Sequence, residues 1–317
     1  MSLFGTRGLT RPRLRPELDD EPLGKIRKQL ETSPVPGAPD VDFRAAQVSR
    51  VLRDAEGDWD RCTHRISVLA ESAVHSRFSH SWSHRQPKDP VALSFRLWVD
   101  LSRACMDPTA VEARSSIDLC LRAARLRQDD PIPWVGLLGI LRMLRSHSHD
   151  MFAVWNEVTS RDAWNREAHL HMLGYLSPDE CGSSAQMLDF LDGRRIRMPA
   201  DSPATGVELA GVIGCHQRTL SGGGVNAKLT RHWWSQSSAA ATLERSFTLW
   251  TRPGFLRHAA ALADLNALAY GLVQAYRLSD SAKVFRMTGG TVTRWPWGLA
   301  GDPLQQYSYW RNRALRR

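Results

Sequence analysis

Residues 134–141 read WVGLLGIL and residues 169–176 read HLHMLGYL. At an offset of 35, Leu137 meets Met172, Leu138 meets Leu173, Gly139 meets Gly174, Ile140 meets Tyr175 and Leu141 meets Leu176. The segments that follow keep the offset, Phe152 matching Met187 and Trp155 matching Phe190. One step back stand Ile117 and Cys120, again apolar and three apart; one step forward, LAGVI at 209–213 follows at an offset of 37. Apolar residues three and four apart make the stripe of an amphipathic helix. Two helices sharing one period of this length are the signature of stacked helix pairs, each covering the stripe its neighbour exposes. A glycine inside a helix costs about 1 kcal/mol relative to alanine, so Gly139 and Gly174 are expected where a partner helix comes close.

Turn signals fall between the periodic stretches: QDDPIP at 128–133, SRDAWNRE at 160–167 and SPDECGSS at 177–184. Together they predict helices over 131–145, 149–159, 165–176 and 184–192, arranged as two consecutive antiparallel pairs. Upstream, VDFRAAQVSRVL (41–52), with Asp40 as N-cap, and DWDRCTHRISVLAESAVHSRF (58–78) carry the same spacing. PVALSFRLWVDLSRAC (90–105) and TAVEARSSIDLCLRAARLR (109–127) make a further pair. No stretch alternates apolar and polar with β-branched residues between turns, which argues against a sheet. The fold class expected is all-α.

The run from DDPIPW through LLGIL, FAVWNEV and REAHLHMLGYL to CGSSAQMLDFL resembles tetratricopeptide-like helical repeats. It is also similar to an uncharacterised bacterial family of that type. The resemblance covers about residues 95–200, with a fainter echo in ALADLNALAYGLVQAYRLSDSAKVF at 261–285. It departs from the tetratricopeptide pattern in lacking most alanines of the second helix. What it implies is a fold of stacked antiparallel helix pairs, a tetratricopeptide-like α-solenoid, and a habit of binding protein or peptide partners.

Residues 1–39 hold six prolines and several arginines and read as a flexible arm, with at most a short helix over Leu23–Leu30. The helical repeat domain is expected over 40–317, with a subdivision near 200–205, where RRIRMPADSPATG interrupts the pattern. No apolar stretch approaches the roughly 20 residues that span a bilayer, and the N-terminus lacks the apolar core of a secretory signal. A cytoplasmic protein without membrane association is expected. The five cysteines are odd in number and form no CxxC, which fits reduced thiols rather than a disulfide framework or zinc site.

The formal net charge of +9 is uneven: from Pro203 onward there are 14 Lys/Arg against 5 Asp/Glu, and residues 1–202 are neutral. Such asymmetry suits an anionic partner. RHWWSQSS sets Arg231 beside Trp233 and Trp234, aromatic faces next to a cation that could stack on bases or hold a peptide; Arg311 and Arg313 complete the candidate binding residues. His75, His80 and His84 have a spacing that could gather imidazoles, but without a neighbouring carboxylate no metal site is assigned. Asp150 or Ser148 reads as a helix N-cap. SGGGVN at 221–226 lacks the pattern of a phosphate loop. There is no nucleophile elbow and no recognisable catalytic cysteine, so neither a catalytic residue nor a cofactor is assigned. The leading expectation is a non-enzymatic interaction protein that binds a protein or peptide on a helical-repeat surface. The alternatives are a nucleic-acid-associated factor using the basic C-terminal third and a helical-bundle enzyme with a histidine-based site.

Overall fold

The computed structural model describes residues 10–31, 41–221 and 230–316, with the side chains of 230 and 231 excepted. Among the described residues are fifteen α-helices, four short 3-10 turns and one pair of two-residue strands, so the fold is all-α. The chain forms two compact units: Asp20–Gly193, and Arg194–Arg317 together with Met1–Asp19. The expected break at 200–205 therefore lies a few residues earlier, inside a helix, and the second unit includes residues from both ends of the chain.

In the first unit the helices are α1 (Glu21–Glu31), α2 (Val41–Arg53), α3 (Trp59–Ala73), α4 (Phe78–Arg85) and α5 (Pro90–Met106). They continue as α6 (Ala113–Leu126), α7 (Ile132–Met143), α8 (Ser148–Arg161), α9 (Arg166–Tyr175) and α10 (Ser184–Arg197). Local chemistry sets several starts. Asp58 accepts from Arg61 N, Asn165 from Ala168 N, and Asp89 from Val91 N just ahead of Pro90. These contacts satisfy amide groups that a helix start leaves orphaned. The expected cap at Asp40 lies outside the described residues. At α8 the N-cap position falls on His147 without a side-chain bond, and Asp150 sits in the first turn, where its charge favours the helix dipole.

The neighbours follow a regular order. α5 packs on α3, α6 and α7, and α7 packs on α5, α6, α8 and α9. Gly139 stands where side chains of α5 and α9 both come close: a Cβ there would lie 2.7 Å from Leu101 Cδ2 on α5 and 2.8 Å from His171 Nε2 on α9. Gly174 on α9 lies under the Arg142 guanidinium of α7, so closely that a methyl group would collide with it. Arg142 is held there by Glu180, through Nε–Oε2 at 2.8 Å and Nη2–Oε1 at 2.5 Å. The core of this unit runs from Leu23 through Trp82, Phe95, Leu97 and Leu138 to Met172.

The second unit contains α11 (Val207–Ser221), α12 (Ser237–Trp250), α13 (Ala261–Gln274), α14 (Leu278–Thr288) and α15 (Pro303–Leu315). Its centre is aromatic: Trp297, Tyr307, Phe285 and Tyr270 meet with ring centroids 5.1–5.9 Å apart. A buried asparagine supplies polar partners there. Asn266 accepts from Trp297 Nε1 at 2.9 Å and donates to the carbonyls of Leu262 and Thr291.

Residues 10–31 depart from the expected flexible arm. β1 (Arg13–Leu14) pairs in parallel with β2 (Thr291–Val292), Arg13 N donating to Gly290 O and Arg15 N to Val292 O. Leu18 is buried in the aromatic unit's core, and Leu23 and Leu30 of α1 are buried in the other core. Prolines that suggested a linker have another role. With the amides of 13 and 15 turned to β2, alternation turns positions 12, 14 and 16 away. Pro12 and Pro16 therefore stand where no ladder donor is needed, the position an edge strand tolerates.

Candidate functional site

A cavity lies in the second unit. It is an open groove of about 500 Å³ between Trp234–Ser235, the N-terminal half of α12 and the turn joining α13 to α14. The floor is apolar, from Trp234, Ala240, Leu243 and Ala275, while Glu244, Tyr276 and Arg277 are polar or charged. Small residues at 240, 241 and 275 keep it open, and Gly271 lets Leu243 and Trp234 approach α13.

Tyr276 is the unusual member. It is 75% exposed and adopts φ +56°, a left-handed conformation that disfavours side chains other than glycine's. The residue closes α13, with Tyr276 N donating to Val273 O and Arg277 N to Leu272 O. Glycine is the usual choice at such a helix end. A strained aromatic ring beside a groove is the kind of outlier from which a functional hypothesis can start. Arg277 is fixed between two carboxylates, Glu244 Oε2 at 2.7 Å and Asp280 Oδ2 at 2.7 Å. These bonds raise its pKa against the opposing effect of burial. Its guanidinium also lies 5.3 Å from the centre of the Phe247 ring. The groove thus offers an aromatic ring and a rigid cation, while both oxygens of Glu244 are engaged, by Arg277 and by Thr248 Oγ1.

The binding residues expected from sequence are not brought together. Trp234 is buried and contributes to the groove floor. Trp233 is half-buried, and both indoles pack on the buried His216 ring of α11, at 6.3 and 5.4 Å. Burial lowers the His216 pKa. The two tryptophans are mainly packing residues rather than a free stacking platform. The Arg231 side chain lies outside those described. Arg311 is 5% exposed and donates to Thr10 O at 2.8 Å, so it anchors the N-terminal segment and is not available to a ligand. Arg313 is exposed on α15, donating to Tyr309 Oη at 3.0 Å and lying 5.7 Å from the Trp310 ring centre. Arg245 pairs with Glu208 at 2.8 Å and Arg257 donates to Gly254 O. Arg245 and Arg257 are thus tied into local contacts, while Arg252, in the turn after α12, is exposed.

Other chemistry-bearing groups are structural in their surroundings. His80 and His84 lie on α4 and His75 precedes it. Among the described residues, no three His, Cys, Asp or Glu side chains come together as metal ligands. His258 and Asp264 pair at 3.2 Å, with each side chain only 2% exposed and out of reach of a substrate. In the first unit, Asp130 shares a narrow crevice with Cys62 and Ser94. Burial pushes Asp130 up to about 6 and Cys62 up to about 11. Asp130 still accepts from Ile132 N at 2.8 Å, which starts α7. The Cys62 thiol donates to Ala55 O at 3.1 Å, and burial makes it a poor nucleophile.

No protein-family model, curated protein or solved structure matches this chain.

The groove itself was not legible in the sequence. Its walls come from segments 30–40 residues apart, and the only local sign was the Trp233–Trp234 pair.

Proposed function

We propose that the chain is a non-enzymatic interaction protein that takes a peptide segment of a partner protein into the groove of its second unit. The observation that carries this reading is Tyr276, an exposed aromatic residue held at a left-handed helix end beside an apolar groove of about 500 Å³. Pockets that hold side chains or small ligands have this size and this mixture of apolar floor and few polar groups. Exposed tyrosine and anchored arginine are also the residue types that dominate binding energy at interfaces.

The tetratricopeptide-like reading belongs to the same proposal and has two supports. One is the row of successive neighbours α3, α5, α7 and α9. The other is a shared hairpin: α7 closes with Arg145 at φ +52° and Ser146 N donating to Leu141 O, as α13 closes with Tyr276 at φ +56° and Arg277 N donating to Leu272 O. Among the described residues no helix is long and apolar enough to cross a membrane, and a cytoplasmic location remains part of the proposal.

The test is a peptide-library selection on the full chain, repeated with Ala240→Trp, which fills the groove. Selected peptides should lose at least tenfold in affinity for the variant while its thermal melt is unchanged. Peptides that bind both proteins equally would refute a role for the groove.

A further inference from the structure

The parallel pairing of β1 with β2 brings together two basic segments that lie at opposite ends of the chain. Residues 10–16 read TRPRLRP, with Arg11, Arg13 and Arg15 all exposed and no acid before Glu17. Pro12 and Pro16 hold the residues before them in extended backbone, and alternate residues of an extended segment point to one side. The segment lies against α15, because Arg311 of that helix donates to Thr10 O. Two positions to either side of Arg311, and so on the outer face of α15, stand the 55% exposed ring of Tyr309 and exposed Arg313, with exposed Arg316 just past the helix end. Tyr309 meets Trp310 edge-on at 5.2 Å and accepts from Arg313 at 3.0 Å. Among the described residues, no carboxylate pairs with Arg11, Arg13, Arg15, Arg313 or Arg316.

We infer that single-stranded nucleic acid binds along the N-terminal segment and wraps over α15 to its outer face, at a site separate from the groove. Its charge is complementary to a polyanion. The cations are all arginines, whose planar forks match phosphate oxygens in pairs. An exposed aromatic ring flanked by guanidinium groups is a platform on which an unpaired base stacks irrespective of its identity. A membrane surface fits less well, since this surface has no broad apolar face to insert between lipids. Arg311, the residue the sequence put forward, acts here only by holding the N-terminal segment in place.

The experiment is fluorescence anisotropy of the full chain with labelled 20-nucleotide oligo(U) and oligo(dT) probes across a salt series. Binding tighter than roughly 1 µM at 0.15 M salt is expected, beyond the level of a merely basic protein. Replacing Arg11, Arg13 and Arg15 together by Gln should lower the slope of log K against log[salt] by about 2, since each phosphate contact on a single strand contributes about 0.7. The segment's bonds to β2 are made by its backbone, so the fold and thermal melt should be retained. Tyr309→Ala should weaken binding roughly tenfold with the slope unchanged, and Tyr309→Phe should restore it. A control triple, Arg50→Gln, Arg114→Gln and Arg125→Gln in the first unit, should leave binding intact. The inference is overturned by an equal loss in the control, by an unchanged slope in the first triple, or by binding no tighter than roughly 1 µM at 0.15 M salt. Capture by phosphatidylserine vesicles without affinity for either probe would also overturn it.

Discussion

The repeat glycines differ in what a side chain would strike. At Gly139 a methyl group meets Leu101 and His171 in a filled interior, so Gly139→Ala is expected to cost roughly 1–3 kcal/mol, the range for overpacking. At Gly174 the obstacle is the end of the flexible Arg142 side chain. It can move, but only by giving up Glu180, and the expected loss for Gly174→Ala is about 1 kcal/mol. Gly182 showed no repeat signal, yet its missing side chain faces the backbone carbonyl of Leu176, which cannot yield. Gly182→Ala should therefore be the most damaging of the three in urea denaturation; a reversed order would show that these approaches relax. Two titratable groups have opposite effects. Asp130, raised by burial to about 6, binds its proton more tightly folded than unfolded, so its contribution to stability falls as pH rises from about 4 to 6. His171, pushed down to about 3 by burial and by Arg142, does the reverse: stability is lost as pH falls from about 6.5 toward 3. Asp130→Asn can keep the bond to Ile132 N and should stabilise the protein at pH 7 by on the order of 1–3 kcal/mol, the advantage vanishing near pH 4. A pH-independent difference between variant and wild type would contradict this assignment.

Among the elements, two short ones decide most. The turn after α13 is strained by Tyr276, and the turn after α7 by Arg145, at equivalent hydrogen-bonded positions. Tyr276→Gly should relieve the left-handed backbone and raise stability by roughly 0.5–1 kcal/mol, while selected peptides lose affinity. A variant that is more stable and binds as before would show that the ring is incidental to the groove. The N-terminal strand is the other. Its backbone bonds to β2 are few, but Leu18 is 3% exposed within the aromatic unit's core. Leu18→Ala is expected to cost about 2 kcal/mol or more by chemical denaturation. An effect below 0.5 kcal/mol would mean that the segment is dispensable to the unit.

For the whole molecule, each unit has its own core. Residues 20–193 form a set of helices whose buried side chains are contiguous from α1 to α9, with the half-buried Phe190 of α10 packed against them. Expressed alone, this segment should be helical and unfold cooperatively. Residues 194–317 alone should not match it, because they lack Leu18 and the strand that pairs with β2; supplying residues 1–19 on a linker should restore the transition. Cooperative unfolding of 194–317 without that addition would contradict the structural role given to the N-terminal segment.

Most of the helices, their order and the two repeat glycines follow from sequence alone, because an amphipathic stripe is local: residues three and four apart meet whatever the rest of the chain does. An exception is α4, since the Ser-rich composition of FSHSWSHR reads as an interhelical loop. The observed helices Ile132–Met143, Ser148–Arg161, Arg166–Tyr175 and Ser184–Arg197 lie where periodicity placed them. Tertiary structure alone decided the fate of the N-terminal segment. Its prolines read as a linker until β2, some 280 residues away, supplied the partner for its amides. The same contact turned Arg311 from a candidate ligand-binding residue into a buried anchor. Trp233 and Trp234 likewise looked free for binding until His216 was seen packed against them. Contacts over such separations leave no periodic trace, because they depend on where the intervening helices bring the chain back.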